Sequence, residues 1–202
     1  MAAAKVDFKR ELRELYGPPR TASLVQVPEL SFLMVDGHGD PNTSAEYREA
    51  VSALFSVSYA ARFALKRSGV IDYGVMPLEG LWWVPDISEF SIEDKTAWDW
   101  TAMIMQPGEV TDPVLENARQ AAAKKELPAL ERLRLERFTE GLSAQVLHVG
   151  PYSAEGPTIA RLHEFIAAQG YERAGKHHEI YLSDPGRAAP EKLKTIIRQP
   201  VR

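Results

Sequence analysis

Apolar positions along this chain follow two rhythms, and the switches between them set the expected elements. Val6 to Tyr16 carries Phe8, Leu12 and Leu15 at helical spacing, until Gly17-Pro18-Pro19 removes the donors a helix or ladder needs. Leu30 to Val35 then reads as a compact strand ending at the Gly37-His38-Gly39 turn. Thr43 and Glu46 make a capping-box pattern, and Tyr47, Ala50, Val51, Leu54, Ser58, Ala61 and Leu65 trace the stripe of a long helix closed by Gly69. Two apolar runs follow, Val75 to Val84 and Ala97 to Gln106. In the second, Trp98, Trp100, Ala102 and Ile104 alternate with Asp99, Thr101 and Met103, as in a half-buried strand with its aromatic side inward.

The rest of the chain continues the pattern. A helix starts near Asp112, with Pro113 in its first turn, and reaches Lys124-Lys125, whose charges suit the negative end of its dipole. Leu133, Leu135 and Arg137 form a polar-edged strand, and Glu140-Gly141 is expected to turn the chain into a second strand, Ala144 to Val149. Gly150-Pro151-Tyr152 leads to a third helix bearing Ile159, Leu162, His163 and Ile166 on one face, with Gly170 at its end. Two last strands are expected around residues 172–182 and 193–199.

Both halves therefore run strand, glycine turn, helix, strand, strand. Val35-Asp36-Gly37 answers His148-Val149-Gly150, Glu79 answers Glu179, and Ile104-Met105-Gln106-Pro107 answers Ile197-Arg198-Gln199-Pro200. The shared order points to an internal duplication. The expected fold is α+β: a tandem pseudo-twofold βαββ repeat with antiparallel sheets, helices on one face and a central ligand cleft. Residues 1–202 make one domain, with repeat one at about 30–107, a connecting helix and strand at about 111–138, and repeat two at about 143–201.

Composition narrows the function classes. Twenty-four Lys and Arg against 28 Asp and Glu leave a net charge of -4, which argues against a global grip on nucleic acid. The absence of cysteine removes disulfides, thiolate metal sites and cysteine nucleophiles together. No apolar run approaches the ~18 residues of a membrane span. The first residues lack the apolar stretch of a secretory signal, so a cytoplasmic protein is expected. Asn42-Thr43-Ser44 then reads as a helix start rather than a glycosylation site. Dinucleotide, phosphate-loop and nucleophile-elbow signatures are missing.

Two carboxylates stand out. Glu79 lies among Leu81, Trp82 and Trp83, and Glu179 lies beside Tyr181, where an unpaired charge costs several kcal/mol. A lone strand glutamate is commonly paired with a basic side chain. A repeat-related pair beside aromatic residues instead suggests a pocket for a flat, apolar molecule, cations included. Burial and proximity would raise the pKa of at least one acid and suit it to proton transfer. His177 and His178 are adjacent on a strand and so face opposite ways, which precludes a shared metal. Asp36, His38 and Asp40 read as a polar turn rather than a cation site. No metal or cofactor is called for.

On Gly150-Pro151-Tyr152, on Glu79-Gly80-Leu81-Trp82-Trp83, and above all on His177-His178-Glu179-Ile180-Tyr181-Leu182-Ser183-Asp184-Pro185, the chain resembles the GyrI-like small-molecule-binding family, and in particular its stand-alone branch. The resemblance runs from Phe8 to Gln199-Pro200. It implies a tandem βαββ module whose ligand is an aromatic or lipophilic small molecule. Some stand-alone members are cyclopropanoid cyclopropyl hydrolases, which open the strained ring of spirocyclopropane DNA-alkylating compounds and so protect the cell. On that reading Glu179 activates water, and Tyr181, Tyr152 or protonated Glu79 assists the carbonyl that gains charge. Trp83, Trp98 and Trp100 stack on the substrate. The competing readings are a non-catalytic module that binds or sequesters lipophilic compounds, cations included, and a protein-interaction role as a gyrase modulator. The oligomeric state is left open.

Overall fold

The orphan donors at helix starts and the two-residue period of strands account for most of the architecture, which a computed structural model describes for residues 3–84 and 95–202. The chain divides into two compact units, Met1–Phe8 with Leu30–Phe138, and Lys9–Glu29 with Thr139–Arg202.

In the first unit β1 (Ala4–Val6) pairs in parallel with β3 (Ile71–Tyr73). The main sheet is antiparallel, with β5 (Asp99–Gln106) between β2 (Ser23–His38) and β4 (Leu78–Trp83). Val35 and Gly80 both stand opposite Ala102, which fixes which side chains share a face. Helix α3 (Ala45–Arg67) covers the face that carries Trp82 and Trp100. The ring of Tyr47 lies 5.7 Å and 5.0 Å from them, and Gln106 Nε2 donates to Ser58 Oγ at 3.0 Å. Helix α4 (Asp112–Ala123) has Pro113 in its first turn, packs on α3 and buries Leu115, Ala118 and Ala122.

Two expectations change here. The cap of α3 is Ser44, whose Oγ accepts from the Tyr47 N–H at 3.3 Å, so the capping box on Thr43 does not form. Glu46, freed from that role, pairs with Arg132. At the other end the Gly69 and Val70 N–H groups bond the Lys66 and Leu65 carbonyls, closing the helix where expected. Strand β5 is also not half-buried: Thr101, Met103 and Met105 are as inaccessible as Trp100 and Ile104.

In the second unit β8 (Lys194–Pro200) lies between β6 (Arg134–Val149) and β7 (His177–Tyr181), again antiparallel. Helix α5 (Gly156–Ala168) buries Leu162 and Ile166 against Ala144, Val146 and Ile197. Each such aliphatic side chain contributes roughly 1.5–3 kcal/mol of burial. The expected turn at Glu140-Gly141 is absent. Strand β6 runs straight through it, and Gly141 takes φ +79°, the left-handed conformation that lets an extended strand bend without ending. Strand β7 is shorter than expected; upstream only an isolated bridge, Arg173 to Val201, joins the sheet.

Two short helices, α1 (Phe8–Glu11) and α2 (Arg13–Tyr16), replace the single N-terminal helix suggested by spacing. A buried polar knot ties the second to the sheet. Arg198 donates to the Leu15 carbonyl at 2.6 Å, to Gln145 Oε1 at 3.0 Å and to Glu140 Oε2 at 3.2 Å. Gln145 in turn donates to the Glu14 carbonyl at 2.6 Å. Among the described residues no helix is long and apolar enough to cross a membrane.

Candidate active site

Strand alternation puts His177, Glu179 and Tyr181 side by side on one face of β7. Tyr181 Oη donates to Glu179 Oε2 at 2.7 Å, and His177 Nε2 meets Glu179 Oε1 at 3.2 Å. The Glu179 and His177 side chains are 14% and 16% exposed, so the carboxylate is mostly withdrawn from water yet held by two donors. Pro151, extended and without an N–H, leads into a 3-10 turn, Tyr152–Ala154. That turn sets the Tyr152 ring edge-on to Tyr181, with centroids 5.6 Å apart at 75°. Tyr152 is 38% exposed. Burial of its hydroxyl, and then the negative charges of Glu155, Glu179 and Asp184, push its pKa above the ordinary phenol value. It therefore remains a hydrogen-bond donor at neutral pH.

The remaining predicted residues belong to the first unit and split between two faces. Glu79, 1% exposed, stands opposite Met103 and shares its face with Leu81 and Trp83. Trp100 is on the other face, fully buried beneath Tyr47. A Cβ on Gly37 would lie 2.1 Å from its ring, so only glycine leaves room for it there. Trp98 packs on Trp82 at 5.8 Å, with Lys95 Nζ 4.7 Å from its ring centroid. Trp98 and Trp100 are thus occupied in the aromatic layer under α3 and not grouped with Glu79, contrary to the wall expected from alternation. Trp83 keeps company with the acid.

The correspondence of Glu79 with Glu179 also shifts. Ser31 faces Gln106, and Ala144 faces Gln199, so the sequence match between those strand ends is one of register too. Carrying that match across the sheet pairs Ile104 with Ile197, and hence Leu78 with Glu179 and Glu79 with Ile180. The one-residue offset reverses the face. Glu179 shares the face of Ile197, which α5 covers; Glu79 lies on the face opposite to that covered by α3.

Asp36, His38 and Asp40 each have separate partners. Asp36 accepts from Thr101 at 2.7 Å and pairs with Arg134 at 2.8 Å; His38 meets Asp99 at 2.8 Å, and Asp40 accepts from the Asn42 N–H at 2.9 Å. Among the described residues no group of three or more histidines and carboxylates is arranged to hold a metal ion. A cavity of about 440 Å³ lies beside α2, lined by Arg13, Glu14, Pro18, Leu24 and Gln145 among others, and contains none of the predicted residues. Sequence reasoning overlooked His177 as a partner of Glu179, although the alternation His-x-Glu-x-Tyr places all three on one face. It also overlooked Glu140, which sits under His178 and Arg198 at 3.0 Å and 3.2 Å; no local pattern marks that contact.

Small antiparallel sheets backed by helices, with a sheltered carboxylate between a phenol and an imidazole, define a domain of the small-molecule-binding class. The chain belongs to the GyrI-like family: the GyrI-like small molecule binding domain matches residues 21–202. Among solved structures, an uncharacterized conserved protein from Listeria innocua is 43% identical, with 98% of this chain and 100% of that one covered and a TM-score of 0.91. A hydrolase from Listeria innocua is 42% identical over the same shares, with a TM-score of 0.87. The C-terminal domain of EcmrR, 13% identical over 90% of this chain and 97% of its own at a TM-score of 0.58, shares the fold. No curated protein matches significantly.

Proposed function

We propose that this GyrI-like chain is a cyclopropanoid cyclopropyl hydrolase, opening the ring of spirocyclopropane DNA-alkylating compounds by adding water. The observation that carries the reading is the Glu179 carboxylate, sheltered from solvent and oriented by the Tyr181 hydroxyl at 2.7 Å. A carboxylate held in this way is suited to orient and deprotonate a water molecule. Glu179 takes a proton from that water as its oxygen bonds to the cyclopropane methylene. The ring carbon–carbon bond breaks, and its electron pair flows into the conjugated dienone, forming a phenolate. Tyr152, kept protonated by its surroundings, donates to that oxygen as charge develops. The net change is the addition of one water. Tyr152 and Tyr181 supply aromatic surface to the flat substrate. The strand–helix–strand–strand order of each unit and the matched register at Gln106 and Gln199 support a tandem βαββ duplication.

The hydrolase designation of the 42% identical relative supports chemistry at this site. The alternative is a module that binds lipophilic cations on the same carboxylate and tyrosine rings without reaction. Mass spectrometry of a spirocyclopropane alkylator incubated with pure protein decides between them. The expected product is heavier by one water, formed over many turnovers and lost with Glu179→Gln. Saturable binding of unchanged compound overturns the hydrolase reading, and a folded Glu179→Gln protein that keeps the wild-type rate overturns the role of Glu179.

A further inference from the structure

Glu179 has a second neighbour that the proposed reaction does not use. His177, two residues earlier on β7, projects from the same face and brings Nε2 to 3.2 Å from Oε1, while Tyr181 occupies Oε2. Because a carboxylate only accepts, the contact is a hydrogen bond when Nε2 carries the proton. We propose that His177 is a positioning residue: its Nε2–H pins Oε1 of Glu179 and so sets the orientation in which the carboxylate meets the reacting water. The proposal rests on the hydrolase reading for its catalytic consequence, but the hydrogen bond itself is independent of any reaction.

The surroundings favour this role. Tyr181 donates to one oxygen and His177 meets the other, so a turn of the carboxylate about its last torsion would break both contacts. Among the described residues, His177 shares its face of β7 with Glu179 and Tyr181, the charges of His177 and Arg173 both act on His163 of α5, and those of Glu155, Glu179 and Asp184 act on Tyr152. On β8, Arg198 stands opposite His178 and so faces the other way. Arg173 is 3.3 Å from His163 Nδ1. Burial first, and then the charges of Arg173 and His177, lower the His163 pKa to about 4, so His163 is neutral at pH 7. The carboxylate of Glu179 is in direct contact with the His177 ring.

The test compares His177→Phe, which keeps a ring but no donor, with His177→Gln, which keeps a donor at similar reach. A spirocyclopropane cyclohexadienone serves as substrate, and the Glu179 carboxyl is titrated by carbon-13 NMR. With His177→Phe, kcat is expected to fall roughly 10-fold to 100-fold with KM little changed, and the Glu179 midpoint to rise by about one pH unit. His177→Gln should restore most of both. An unmoved Glu179 midpoint in His177→Phe, or equal damage from both variants, overturns the positioning role. If the wild type does not hydrolyse the substrate, the hydrolase reading fails, and the titration still decides whether His177 holds Glu179.

Discussion

Replacing Glu140 by Gln probes a buried ionic cluster in the second unit. The carboxylate is 2% exposed and meets His178 at 3.0 Å and Arg198 at 3.2 Å, both similarly buried. Burial alone would raise its pKa; the charges of and hydrogen bonds from His178 and Arg198 outweigh that and hold it below the ordinary 4.5. Glutamine preserves shape but leaves the Arg198 guanidinium buried without its anion, an arrangement that typically costs about 3–5 kcal/mol. Against a total stability of about 5–15 kcal/mol this is a large share. The sign with pH follows from the depressed folded pKa. The contribution is complete above pH 4.5 and is lost as pH falls towards the folded value. Below pH 4.5 the wild type should lose about 1.4 kcal/mol per pH unit more than Glu140→Gln. Urea unfolding followed by tryptophan fluorescence between pH 7 and pH 3 measures both quantities. A variant within about 1 kcal/mol of wild type at pH 7, far short of the cost of a broken buried pair, or a gap that does not narrow in acid, would refute the reasoning.

Two further substitutions test packing and capping. Gly37→Ala places a methyl where the fully buried Trp100 ring lies, 2.1 Å from its nearest atom, and should destabilise by about 1–3 kcal/mol in urea titration, with a Trp100→Leu background removing most of the penalty. Ser44→Ala should cost about 1 kcal/mol because it removes the cap on the Tyr47 N–H, whereas Thr43→Ala should change the unfolding midpoint little; the reverse order would restore the capping box to Thr43.

Much of the proposed site was open to local reading. The run from His177 to Tyr181 announces a strand, and its alternation alone groups Glu179 with Tyr181; the structure adds the 2.7 Å bond. Tyr152 comes from the resemblance carried by Gly150-Pro151-Tyr152, but its approach to Tyr181 depends on the turn that follows. The tryptophans were harder. Alternation states that Trp98 and Trp100 share a side without saying which side the helix takes, and Tyr47 of α3 settles that for Trp100.

Sequence by itself determined the order of elements, the breakers between them, the long α3 helix and the grouping within each strand, because helix caps, proline geometry and side-chain period act over a few residues. Register was decided only by the tertiary structure. Pairing across β4, β5, β7 and β8 aligns Glu79 with Ile180 rather than Glu179, and a shift of one residue in a period of two sends a side chain to the opposite face. The same holds for the Glu140, His178 and Arg198 knot, whose members lie up to 58 residues apart. Such contacts depend on which strands lie side by side, and no window along the chain contains that information.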